Sequence, residues 1–188
     1  MDFYEKAVVM DAARITRAVS RLASEIVERN RGVEGLTLVG IKRRGVPLAE
    51  RIADKIFELE GHRPQLATLD IAFYGDDLSL LAPEPVVRES PLPSELRGAT
   101  VIIVDDVLYT GRTIYAAITH LIERGQPQKV QLAVLIDRGH RELPIQADYI
   151  GKIVPTKSEE IVKVMLTEFD ASEKVLIVEL VDTPEEIQ

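Results

Sequence analysis

Two adjacent carboxylates close a run of four apolar residues in Val101-Ile102-Ile103-Val104-Asp105-Asp106-Val107-Leu108-Tyr109-Thr110-Gly111-Arg112-Thr113. A continuous apolar run marks a strand buried on both faces. Thr110-Gly111-Arg112-Thr113 then opens a helix whose unpaired amides and hydroxyls suit an anion. Gly111 lets the backbone approach a phosphate closely. Carboxylates beside a phosphate loop would repel the phosphate directly. They make chemical sense as acceptors for ribose hydroxyls, or as partners of Mg²⁺ through its waters. The pattern describes a cradle for ribose 5-phosphate with a divalent cation close by. An isolated Asp-Asp would be a solubilising turn. Asp-Asp followed four residues on by Thr-Gly-x-Thr, between a buried strand and a helix, is far more specific.

A second loop, Gly40-Ile41-Lys42-Arg43-Arg44-Gly45, follows another apolar strand and precedes a helix. It has the glycine spacing of a Walker A loop, but Val46-Pro47 stand where Lys-Ser/Thr belongs, so a kinase or NTPase reading fails. Three consecutive cations between glycines suit a pyrophosphate.

The elements that must position these loops follow from periodicity. Asp11 caps a helix expected over 12–30, with Ile15, Val19, Leu22, Ile26 and Val27 at helical spacing. Leu36 to Gly40 is a strand. Pro47 fits the first turn of a second helix that stops at Gly61. Gln65 to Phe73 reads as one strand, and a proline-punctuated excursion follows over about 74–97. After the strand at 101–104 come a helix over about 113–124 and a buried strand over 129–136. Ile161–Glu168 and Lys174–Leu180 read as a hairpin, with fraying from Asp182. The order predicts a single α/β domain over 1–188: a central, mostly parallel sheet flanked by helices on both faces, with a C-terminal β-hairpin.

The 188 residues, 46% of them hydrophobic, suffice for a core without disulfides. With no cysteine, thiolate metal sites and a cysteine nucleophile are excluded, and His62, His120 and His140 are too scattered for a histidine-rich metal site. No apolar run approaches the ~20 residues needed to span a bilayer. The charged start, Met1-Asp2-Phe3-Tyr4-Glu5-Lys6, lacks the apolar core of a signal peptide. A cytoplasmic protein without membrane association is expected. The net charge of −8 speaks against wholesale electrostatic binding of nucleic acid, though not against a local basic patch.

The segment Val101–Thr113 resembles the signature of the type I phosphoribosyltransferases. The likeness extends through Asp137-Arg138-Gly139-His140-Arg141-Glu142-Leu143-Pro144-Ile145, Ala147–Lys152 and Val154-Pro155-Thr156 to the branch of that family that couples uracil phosphoribosyltransferase activity to control of pyrimidine operons. It spans about residues 7–180. The resemblance implies a pentosyltransferase that converts uracil and phosphoribosyl pyrophosphate to UMP and pyrophosphate with Mg²⁺. It implies that Asp105 and Asp106 hold the ribose and, mainly through water, the metal. Tyr109, Thr110, Gly111, Arg112 and Thr113 would then hold the 5-phosphate, and Lys42, Arg43, Arg44 and Gly45 the pyrophosphate. Tyr74, Asp76 and Asp77 fall in a mobile loop that closes over substrate, with Gly75 where the family usually carries Arg. Val154, Pro155 and Thr156 fall in a hood, over about 138–160, that pairs with the edge of uracil. Tyr109 stands where purine-specific members commonly have an acid, which favours a pyrimidine.

The resemblance also implies a second activity, binding of a pyrimidine operon mRNA hairpin under the control of UMP or UTP, and a homodimer or higher homo-oligomer. Arg17, Arg21, Arg29, His140, Arg141 and Lys152 match the RNA-binding set, whereas Ser20, Ser24 and Gln146 depart from it. Residues 12–31 hold five Arg against two Glu, the electrostatic footprint such binding needs. The competing readings are a solvated helix face, a regulator that keeps the nucleotide site only as a sensor, and a transferase for another base.

Overall fold

A computed structural model describes residues 2–73, 85–87, 92 and 96–181. Its centre is a five-stranded, wholly parallel sheet in the order β3-β2-β6-β7-β8, formed by Gln65–Leu69, Leu36–Ile41, Thr100–Leu108, Lys129–Asp137 and Tyr149–Ile153. Strand residues alternate between two cores. Leu36, Leu38, Ile102, Val104, Ala133 and Leu135 face one of them, with Ile15, Val19, Leu22 and Ile26 of α1 (Ala12–Asn30) and Leu48, Ile52 and Ile56 of α2 (Gly45–Glu60). Val39, Val101, Ile103, Leu132 and Val134 face the other, with Ile114 and Ala117 of α3 (Arg112–His120). Helices on both faces explain why these strands read as continuous apolar runs.

Local signals set the ends of the helices. Asp11 accepts a 2.8 Å bond from the Arg14 amide at the start of α1. The Gly61 amide closes α2 on the Phe57 carbonyl. α3 is shorter than the periodicity implied: Leu121–Gly125 widens into a π turn, and the chain leaves through Gln126 in the left-handed region. No helix among the described residues is long and apolar enough to cross a membrane.

Three elements differ from expectation. The N-terminal residues form β1 (Asp2–Asp11), which the sequence reading left without structure. β1 pairs antiparallel with β10 (Lys174–Val181), which pairs with β9 (Glu160–Met165), so the expected hairpin is part of a three-stranded sheet. Met10, Val164, Leu166 and Val175 seat this sheet on the α1–α2 core. The single strand expected over Gln65–Phe73 is two, because the chain changes sheet at Asp70. β4 (Ile71–Phe73) leaves the parallel sheet and pairs antiparallel with β5 (Pro85–Val87). Finally, the stretch over 138–160 divides. Tyr149–Ile153 enters the parallel sheet as its edge strand β8, because Tyr149 packs into one core and Ile150 against the other. Tyr74, Gly75, Asp76 and Asp77 of the expected mobile loop, and the tail from Asp182, lie outside the described residues.

Candidate active site at the carboxyl end of the sheet

β6 runs further than its apolar stretch, because Val107 and Leu108 still pair with Ile136 and Asp137 of β7. Asp105 and Asp106 therefore lie on the strand rather than in the loop after it. Asp105 is 8% exposed. Its Oδ1 accepts the Asp106 amide at 2.9 Å, and Asp106 Oδ1 accepts the Val107 amide at 2.9 Å. Burial pushes the Asp105 carboxyl well above the ordinary carboxylate range, and the adjacent Asp106 pushes it further. Asp106 is also raised by burial, against the opposing pull of its hydrogen bonds and of the Arg44 guanidinium.

The helix after β6 begins at Gly111, whose φ of +91° is the left-handed conformation glycine adopts most readily. A Cβ there would meet Ile145 at an ordinary 3.4 Å contact, so it is the backbone conformation rather than space that favours glycine. Asp105 and the 109–113 loop line one cleft of about 340 Å³, floored by Ile114 and walled by Glu142. The Arg112 amide bonds Thr110 Oγ1 at 3.3 Å, whereas the Thr113 and Ile114 amides have no carbonyl one turn earlier to bond and suit an anion in this cleft. Glu142 holds the Arg112 side chain (Nε to Oε2, 2.6 Å), and the Glu142 and Leu143 amides bond the Thr110 carbonyl. A larger cavity of about 700 Å³ lies at the amino end of the sheet, between the turns at Arg31–Gly35 and His62–Gln65. None of the residues with site chemistry lines it.

The basic loop sits against the same strand. A Cβ on Gly45 would overlap the Val104 carbonyl oxygen, so only glycine brings the start of α2 this close to Asp105. Its three cations have distinct surroundings. Lys42 Nζ lies 3.3 Å from Asp70 Oδ2. The Arg43 guanidinium lies over the Phe169 ring, 5.1 Å from its centroid. Arg44 Nη2 lies 3.0 and 2.9 Å from the two carboxylate oxygens of Asp170.

After β7, the Val154 amide bonds the Asp137 carbonyl at 2.8 Å, which fixes the expected base-binding segment beside the loop of Tyr109. His140 Nε2 is 2.7 Å from the Thr156 carbonyl. Arg138, which the sequence reading did not single out, joins the two regions. It stacks on the Tyr109 ring and donates to Thr156 Oγ1 (3.1 Å) and the Lys157 carbonyl (3.2 Å). Its signal was position alone: a cation directly after a buried strand, at the end of the sheet where ligands bind.

The residues matched to RNA binding fall into two groups. Arg21, Arg29 and Lys152 lie along α1 and β8. Arg21 donates to the Ile150 and Gly151 carbonyls, Arg29 pairs with Asp148 at 3.0 Å, and Lys152 reaches the Val9 carbonyl. Arg17 is exposed there, with no ion pair or hydrogen bond among the described residues. His140 and Arg141 are held by loops at the carboxyl end. Arg141 turns inward, bonding the Ile145 and Tyr109 carbonyls and Asp137, so it braces the loops that follow β6 and β7.

The residues described as carrying this chemistry fall within the span, residues 9–169, that matches the family model of the phosphoribosyl transferase domain. The chain is 54% identical over 175 residues to the bifunctional protein PyrR of Pelotomaculum thermopropionicum, covering 93% of this chain and 97% of that protein. It is 53% identical over 183 residues to the bifunctional protein PyrR of Deinococcus radiodurans, covering 97% and 98%. Among solved structures, a hypoxanthine phosphoribosyltransferase from Staphylococcus aureus superposes with a TM-score of 0.72 at 20% identity, over 92% and 91% of the two chains. One from Trypanosoma cruzi gives 0.73 at 17%, over 94% and 96%. These structural likenesses establish the fold. With the sequence identity, they make the chain a member of the phosphoribosyltransferase family, in the branch formed by the bifunctional PyrR proteins.

Proposed function

We propose that the chain transfers the 5-phosphoribosyl group of phosphoribosyl pyrophosphate to N1 of uracil, releasing pyrophosphate and giving UMP, and that it also binds pyrimidine operon mRNA under uridine-nucleotide control. The observation that carries the reading is the convergence of Asp105, the amino end of α3 and the basic loop at one end of β6. That arrangement matches the three parts of phosphoribosyl pyrophosphate: the neutral ribose with its hydroxyls, the 5-phosphate and the pyrophosphate.

Bond breaking at C1 develops positive charge on the ribose and negative charge on the leaving group, so the protein's work is positioning and charge stabilisation. The first turn of α3 anchors the 5-phosphate. Asp105 and Asp106 accept from the ribose hydroxyls. Lys42, Arg43 and Arg44 face the pyrophosphate charge. Backbone groups of Val154, Pro155 and Thr156 meet the edge of the base.

Mg²⁺ is the cofactor that fits. The site offers hard carboxylate oxygens, and no cluster of three or more His, Cys, Asp or Glu side chains suited to a metal occurs among the described residues. Asp105 and Asp106 would hold the ion mainly through its waters, where it would neutralise pyrophosphate charge. A homodimer that joins two α1–β8 faces would double the basic surface offered to RNA.

The test is pyrophosphate release from phosphoribosyl pyrophosphate with uracil, cytosine, hypoxanthine, guanine or orotate, beside a gel shift of a pyrimidine operon leader with and without UMP. Release with uracil alone and a UMP-enhanced shift are expected. Release with another base, or none, overturns the catalytic reading.

A further inference from the structure

Two neighbouring residues of the turn between β9 and β10 each grip one neighbouring cation of the basic loop. Phe169 lies under the Arg43 guanidinium, and Asp170 takes Arg44 Nη2 between its two oxygens. The turn is itself rigid. Asp170 Oδ2 accepts the Leu166 amide at 2.9 Å, and the Asp170 amide bonds the Leu166 carbonyl at 2.7 Å. Arg51 of α2 fastens it again through Glu168, at 2.7 and 2.8 Å, and through Glu173. Asp170 is thus fixed before it meets Arg44, and the pair is largely shielded, with side chains 26% and 15% exposed.

Arg44 is held by one nitrogen only. Its Nε is buried and has no hydrogen-bond partner, although buried guanidinium donors are normally satisfied. A cation anchored at one nitrogen with a donor left over is orientated but not saturated.

We infer that Asp170, assisted by Phe169, is a positioning residue for the pyrophosphate of the donor substrate: it acts through Arg44 and Arg43 and fixes the basic loop in its binding geometry. The inference rests on the proposed transfer from phosphoribosyl pyrophosphate, and it gives the antiparallel sheet a part in that site. It also makes a prediction opposite in sign to bulk electrostatics. A carboxylate beside an anion site repels the anion, so its neutralisation should tighten anion binding if charge alone counted. If Asp170 positions Arg44, neutralisation should weaken binding, because the guanidinium loses its fixed orientation.

The experiment is calorimetric titration of inorganic pyrophosphate and, separately, of UMP into the full chain with Mg²⁺, for the wild type, Asp170→Asn, Asp170→Glu and Phe169→Leu. Expected for Asp170→Asn is a pyrophosphate Kd raised about tenfold, of the order seen for coupled neighbours, and a UMP Kd unchanged within twofold. Asp170→Glu should recover part of the loss and Phe169→Leu should show a smaller one. Equal or tighter pyrophosphate binding by Asp170→Asn overturns the inference, as does parallel loss of both ligands in a folded variant. Should Asp170→Asn not fold, Phe169→Leu decides alone by the same split between pyrophosphate and UMP. Failure of the wild type to bind pyrophosphate would instead sink the proposed function.

Discussion

The Arg138 guanidinium stacks on the Tyr109 ring, 4.0 Å from its centroid, while its nitrogens hold Thr156 and the Lys157 carbonyl. One side chain thus spans from the Tyr109 loop to the segment after β8. With the Tyr109 ring partly exposed, such stacking is worth about 0.5–1 kcal/mol, or roughly two- to fivefold in affinity. Tyr109→Ala should raise the KM for both uracil and phosphoribosyl pyrophosphate by about that factor, and Tyr109→Phe should leave both nearly unchanged. Steady-state kinetics with each substrate varied checks this.

Asp105→Asn/Asp106→Asn should cut kcat by roughly 10²-fold or more, the scale for loss of preorganised polar groups at a reacting centre. Folding should survive, because the Asn oxygens can still accept the Asp106-position and Val107 amides. Circular dichroism beside the pyrophosphate-release assay checks both halves, and full activity would refute the assignment.

Gly45→Ala would force a methyl group into the Val104 carbonyl. Backbone on both sides cannot yield without moving the basic loop away from Asp105. A stability loss of about 1–3 kcal/mol is expected for such overpacking, with a raised KM for phosphoribosyl pyrophosphate. Chemical denaturation and kinetics measure the two effects.

Glu160 is held below the usual carboxylate range by its bond from Lys6, and further by the Lys157 amide. A carboxyl depressed on folding adds stability above its unfolded pKa and loses it as pH falls through the folded one. Glu160→Gln should therefore melt below the wild type at pH 7, and the gap should close as pH falls through the lower carboxylate range. Melting curves at a series of pH values test the sign.

Arg17 and Arg21 share the exposed stripe of α1 but differ in their ties. Arg21 holds two carbonyls of the edge strand β8 and pairs with Glu25. Arg17→Ala should weaken RNA binding and lower the salt slope by about 1 without changing the melting temperature. Arg21→Ala should lower both affinity and stability. Binding titrations across salt concentrations, beside melting curves, separate them.

The parallel sheet, its helices and the two glycine-bearing loops at its carboxyl end were legible because each depends on local pattern: apolar runs, Asp11 and Pro47, and glycines at close backbone approaches. β1 was not. Its register against β10 shifts between Glu5 and Ala7 and again between Val8 and Met10, which breaks the two-residue alternation that marks a strand. The single strand assigned to Gln65–Phe73 failed for a related reason, since Asp70 changes sheets without a glycine or proline to announce it. Arg44 was legible as a cation, but its hold on Asp170, 126 residues away, was not. Asp170 fell between the two strands of the expected hairpin, where the sequence singles out no distant partner for it. Arg141 was matched to the RNA-binding set, and nothing in its sequence position showed that carbonyls from two separate loops hold it.

The pairing of β1 with β10 also has a consequence for the order of assembly. Lys174 meets Glu5 although the two stand 169 positions apart in the chain. A strand that leaves the ribosome early must wait, unpaired, until nearly all the described chain has been made. The parallel sheet and its helices need neither β1 nor β10 to pair strand with strand, so they are free to form first. Closure of the antiparallel sheet, which brings Phe169 and Asp170 onto the basic loop, would then be a late event in synthesis. Nascent chains stalled before residue 174 should bind pyrophosphate poorly even where the parallel sheet is already protected from proteases.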